Sequence, residues 1–178
     1  VAEPLLVGHV GFMALTGALV VSGTDLLFST FVFALAALCL VLAAGSSASP
    51  YGVTGAQREL LVLLATEPFF ILMLAAICKV TGESTMAGVL GSTTQVALAL
   101  PGVLIAFLFV AAIQLRKSPF DISVSHHPHQ ELVSGLTSDM SGRQLAWVHL
   151  AHWYESALLA LFVVLFLDAQ NQLIACEE

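Results

Sequence analysis

The sequence predicts an all-α, polytopic membrane protein, and three observations predict it. Of 178 residues, 58% are hydrophobic and only 10% are charged, which leaves too little polar surface to cover a water-soluble domain. Mean hydropathy is +0.96. The apolar residues gather into five stretches near the length of about 20 residues that a membrane-crossing helix needs. Polar residues concentrate in one long stretch, Arg116 to Arg143, between the last two apolar runs.

The spans are predicted near Leu5 to Val21, Leu26 to Ala44, Leu60 to Val80, Val96 to Leu115 and Trp147 to Leu167, within a single transmembrane domain covering residues 1–178. Between the first two, Ser22 to Asp25 suffices for a tight turn. Gly45 to Glu59 is rich in Gly, Ser and Pro and reads as a loop. Gly8, Gly11, Ala14, Gly17 and Ala18 suit close packing of the first helix but specify no function. No solenoid or inverted repeat is visible. Glu3 stands where a signal peptide would carry basic residues, and the first residue is Val1, so the sequence is expected to be part of a longer chain.

Charge sets orientation and excludes partners. Lys and Arg near helix ends stay on the cytoplasmic side. With alternating spans, Arg58, Arg116, Lys117 and Arg143 fall on one face and Lys79 alone on the other, which puts both polar loops in the cytoplasm, Val1 inside and Glu178 outside. Five Lys and Arg against twelve Asp and Glu give a formal charge of −7, so a nucleic-acid partner is not expected. Cys39, Cys78 and Cys176 form no Cys-x-x-Cys pair, so no iron–sulfur cluster or structural zinc site is expected from these thiols. Any redox centre then belongs to a partner.

Chemistry is expected at the ionisable groups. Glu67 lies about seven residues inside the third span, where an ionised side chain costs about 2.5 to 3.5 kcal/mol on insertion scales. Pro68 follows it and withholds the helical donor from the carbonyl of residue 64, so a kinked, hydrated pocket is one reading. A neutral Glu67 bonded to a neighbouring helix is the other. Arg58 and Glu59 are adjacent, do not share a helix face, and need separate partners. His149, His152 and Glu155 spread over about 120° of the last span, a titratable stripe flanked by Trp147, Trp153 and Tyr154. The alternative for this stripe is an interfacial aromatic belt, which suits Trp147 better than the deeper Glu155.

The polar stretch gathers Asp121, His126, His127, His129 and Glu131 within eleven positions. His127 and His129 offer a His-x-His pair to a metal, yet no ligand spacing of a known structural site accompanies them. Acids and imidazoles so close can instead exchange protons as a coupled set. No nucleophile elbow, phosphate-binding loop or dinucleotide fingerprint is present, which argues against a self-sufficient enzyme.

Taken together, GAQRE at 55–59, EP at 67–68, KSPFD at 117–121, HQELVSG at 129–135, SG at 141–142 and HWYE at 152–155 resemble the membrane subunit shared by energy-converting nickel–iron hydrogenases and respiratory complex I. In complex I the KSPFD motif resembles one followed by a run of glutamates, in a subunit that helps form the quinone chamber. Here His126, His127 and His129 precede Glu131, which is similar to the hydrogenase branch and departs from the quinone-binding pattern. The resemblance implies one further helix before Leu5 and about two after Leu167.

It also implies that this chain carries no cofactor. The nickel–iron centre and iron–sulfur clusters are expected in partners: hydrogenase large and small subunits and a ferredoxin-like iron–sulfur subunit, beside antiporter-like membrane subunits in the lipid bilayer. In that setting Glu59, Glu67, Asp121, His129, Glu131, His152 and Glu155 are the expected proton or ion relay. Arg58, Arg116, Lys117, Pro119, Phe120, His126 and His127 are expected to dock the soluble arm. Such a relay works because burial and neighbouring charge set when each acid holds its proton. Two alternatives stay open: the quinone-site subunit of a complex I-like oxidoreductase, and a passive membrane anchor.

Overall fold

The computed structural model describes residues 2–46, 49–92, 94, 96–115, 137, 140 and 142–167. Helices α1 (Ala2–Val21), α2 (Leu26–Gly45), α3 (Pro50–Thr81), α4 (Met86–Leu90), α5 (Val96–Ala99), α6 (Pro101–Gln114) and α7 (Arg143–Leu167) follow in order. Four of them are long and apolar enough to cross a membrane: α1, α2, the Gly52–Thr81 part of α3, and α7. Many large apolar side chains stay on the outside, among them Ile105 at 70%, Leu72 at 69% and Leu61 at 69% exposed. Water would penalise such a surface and lipid does not, so the chain is a multi-pass membrane protein.

Helix ends follow from local chemistry. Glu3 and Pro4 occupy the first turn of α1, where an acid meets the positive end of the dipole and a missing N–H is harmless. Gly23, at φ 80°, makes the turn after α1. Asp25 then caps α2 by accepting from the Leu27 N–H at 2.9 Å. Gly82, at φ 76°, ends α3, and its N–H returns to the Cys78 carbonyl. Leu26 N–H donates to Ser84 O at 2.9 Å, which ties the α1–α2 turn to the segment after α3.

Two boundaries differ from the sequence-based expectation. Residues 50–59, expected as part of a loop, are the first turns of α3, because Ser49 holds the extended N-cap conformation and Pro50 starts the helix with its fixed φ. At 32 residues this helix is about 48 Å long and outruns a hydrocarbon core of about 30 Å. The predicted span Val96 to Leu115 is divided instead of continuous. Leu100 sits at φ −130°, ψ 55°, outside the helical region, because the Pro101 ring disfavours helix in the residue before it. The α6 piece has 14 residues, or about 21 Å, short of a full crossing on its own.

Packing centres on α3. Phe70 is 1% exposed and sits with its ring centroid 6.0 Å from Phe33, 6.2 Å from Phe107 and 6.5 Å from Phe162, so one side chain joins α3 to α2, α6 and α7. A second cluster, built on Leu6, Leu40, Val41 and Ala56 with Trp147 against it, closes the opposite end. On that face the starts of α1 and α7 meet, where Arg143 Nε and Nη2 donate to Glu3 Oε1 at 3.1 Å and 2.5 Å.

Candidate functional site, a polar cavity among the helices

Buried hydroxyls here mostly serve their own helix. Thr16 donates to the Phe12 carbonyl at 2.8 Å, Thr30 to Leu27 at 2.7 Å and Thr66 to Val62 at 3.0 Å. His9 behaves differently. It is 4% exposed on α1, and its Nδ1 lies 2.7 Å from the Ala36 carbonyl oxygen of α2. A carbonyl can only accept, so Nδ1 carries the hydrogen.

Beside His9 lies a small cavity of about 30 Å³, lined on its polar side by His9, Glu59, Gln114 and Glu155. These residues come from α1, α3, α6 and α7; Met13, Leu40 and Leu63 are among the apolar walls. A water needs about 10–15 Å³ of probe-occupied volume and polar partners, and this cavity exceeds that volume and has four polar residues in its lining. Glu155 is 17% exposed, and its Oε2 lies 3.2 Å from Nδ1 of His152, one turn earlier on α7. The arrangement is a hydratable pocket holding two carboxylates, an imidazole and an amide, with a second imidazole beside it. Such groups can pass a proton along without any of them leaving its helix.

Of the relay residues expected from sequence, the structure brings Glu59, Glu155 and His152 together. Glu67 stands apart. It lies eight positions beyond Glu59 on α3, about 12 Å along the axis and about 80° around it. There it joins Phe31, Leu35, Leu64 and Pro68 in an apolar, outward-opening groove of about 390 Å³ between α2 and α3. Its Oε1 is buried and accepts no hydrogen bond among the described residues. His149 is exposed and Arg58 half-buried. Arg116, Lys117, Pro119, Phe120, Asp121, His126, His127, His129 and Glu131 lie outside the described residues. Among the described residues, no group of three or more His, Cys, Asp or Glu side chains is arranged to hold a metal ion.

His9 and Gln114 are the site residues that sequence reasoning missed. A signal for His9 existed, since an ionisable side chain inside a membrane span is a functional candidate by default. Gln114 offered none, standing at the end of an apolar run where an amide needs no explanation.

The chain matches the NADH dehydrogenase family over residues 5–175. It is 32% identical over 168 residues to hydrogenase-4 component C of Escherichia coli, covering 86% of this chain and 50% of that protein. It is also 32% identical over 173 residues to an NADH-quinone oxidoreductase subunit of Cereibacter sphaeroides, covering 93% of this chain and 53% of the relative. Formate hydrogenlyase subunit 4 of Escherichia coli is 29% identical over 122 residues, 66% of this chain and 39% of that one. The chain thus spans about half the length of the curated relatives it matches most fully. No solved structure matches it. The apolar helices, the quoted motifs and the match along nearly the whole sequence lead to one conclusion: this chain belongs to the NADH dehydrogenase family and is a complex I-like membrane subunit.

Proposed function

We propose that this chain is the membrane-anchor and energy-coupling subunit of a membrane-bound nickel–iron hydrogenase complex, linking electron transfer and hydrogen formation to proton or sodium translocation. The observation that carries this reading is the convergence of Glu59 and Glu155, from two different helices, on one water-sized cavity. Carboxyl groups within membrane-spanning helices are costly and mark proton or ion routes by default. The likeness to hydrogenase-4 component C and to formate hydrogenlyase subunit 4, and the imidazoles after KSPFD, support the hydrogenase branch. In this reading the metal centres reside in the hydrogenase large and small subunits and a ferredoxin-like iron–sulfur subunit. These dock on the polar loops at the cytoplasmic face of the cytoplasmic membrane, and antiporter-like subunits lie alongside in the bilayer. Asp121, His129 and Glu131 receive the charge change, and Glu59, Glu155 and His152 pass it inward, with Glu67 the next carboxyl group along α3.

The test is ion movement per electron in inverted membrane vesicles holding the assembled complex, driven by whichever oxidoreductase arm copurifies in mild detergent. Glu59→Gln and Glu155→Gln nearly preserve volume and remove a titrating group. Each is expected to lower the ion-to-electron ratio at least five-fold while the complex assembles, and Glu67→Gln is the same test of the outer step. Undiminished ratios in all three would leave a passive anchor. A second reading, the quinone-site subunit of a complex I-like oxidoreductase, is favoured by the 32% identity to a quinone oxidoreductase subunit and by the groove beside Glu67 that opens outward between α2 and α3. A quinone-reducing arm in place of a nickel–iron subunit among the copurifying proteins would select it.

A further inference from the structure

We propose that His9 is a proton-exchanging member of the cavity, working through Nε2 while its Nδ1–H stays fixed on the Ala36 carbonyl. The inference rests on the relay reading above and adds to it a group from α1. Three observations carry it. His9 is 4% exposed within a membrane-spanning helix, where an ionisable side chain is a functional candidate by default. Its Nδ1 is 2.7 Å from a backbone carbonyl, which fixes both the ring plane and the tautomer. The same ring lines the cavity shared by Glu59 of α3 and Glu155 of α7, the titratable groups that face it there, with Gln114 of α6 as the neutral polar neighbour.

Proton traffic follows from the fixed tautomer. With Nδ1–H held by Ala36, Nε2 of the neutral ring is the basic nitrogen. A carboxyl group of the cavity gives its proton to a water, which passes one to Nε2. That leaves a carboxylate and an imidazolium whose Nδ1–H bond is unchanged. Release runs from Nε2–H through the water to the second carboxylate, which restores the neutral ring. No bond to carbon forms or breaks, and the net event is a proton moved from one glutamate to the other. The imidazole serves because its second nitrogen can take up a proton and give it back while the first stays bonded.

His9→Asn separates this role from a structural one. The Asn amide nitrogen stands where Nδ1 does and can still donate to Ala36, yet it cannot take up and release a proton. In the vesicle assay, His9→Asn is expected to lower the ion-to-electron ratio at least five-fold in an assembled complex. A wild-type ratio in His9→Asn, with Glu59→Gln and Glu155→Gln uncoupled, would overturn the role of His9 and leave the relay standing. Wild-type ratios in all of them would remove the relay and His9 with it. Should His9→Asn fail to assemble, Ala37→Val keeps every titratable group and takes up cavity volume from α2. A five-fold loss there supports the water route to His9, and an unchanged ratio overturns it.

Discussion

Phe70→Ala measures how far lipid, and not water, is the solvent in which these helices were selected. Phe70 is 1% exposed, and its ring touches Phe33, Phe69, Phe107 and Phe162 at centroid separations of 6.0 to 6.5 Å. In a water-soluble core such a truncation costs about 3–5 kcal/mol, the sum of lost transfer energy and the cavity left behind. The transfer part, about 1.5–3 kcal/mol for a large apolar side chain, falls away when the unpacked helix still lies in hydrocarbon. What remains is about 2 kcal/mol of lost packing and ring contact, the order that several aromatic pairs at about 0.5–1.5 kcal/mol each supply together. Ile105→Ala, at a position 70% exposed on α6, is the control and is expected to lose no more than about 0.5 kcal/mol. The assay is denaturation by sodium dodecyl sulfate in mixed micelles, followed by far-ultraviolet dichroism. Equal losses at the two positions would refute the packing assignment. A loss at Phe70 above about 4 kcal/mol would refute the lipid reference state, because only water as the competing solvent supplies that much.

Two further perturbations probe the ends of the bundle. Glu3 and Arg143 join the starts of α1 and α7 but are 47% and 73% exposed, so a double-mutant cycle of Glu3→Gln and Arg143→Gln is expected to give a coupling below about 1 kcal/mol that shrinks as salt is added. Salt-independent coupling would mean the pair is shielded from solvent. Gly82→Ala places a Cβ at φ 76°, in the left-handed region, and is expected to lower stability by about 1–2 kcal/mol. Gly102→Ala, in open space near the start of α6, is the neutral comparison, and equal midpoints for the two would remove the argument from backbone conformation.

How much of this was legible in the sequence depended on whether a signal was local. Asp25 and Gly82 mark the start of α2 and the end of α3 by chemistry that acts within a turn, and those two ends are where hydropathy puts them. The same local rules, fully applied, also mark the two boundaries that hydropathy displaced. Ser49-Pro50 is a helix-start signal that the surrounding Gly and Ser obscured, and Pro101 disfavours helix at Leu100 inside an otherwise apolar run. The cavity is a different matter. His9, Glu59, Gln114 and Glu155 lie on four helices, and no periodicity within one helix says which neighbours its polar face will meet. Glu67 shows the same limit: it stands eight residues beyond Glu59 on one helix, and those eight residues carry it to a different flank. Yet His9 was within reach of sequence reasoning, by an argument particular to membranes. Lipid offers an imidazole nothing to bond, so a histidine in an apolar span must find its partners on another helix. That requirement directs attention to a buried junction before any coordinates are known.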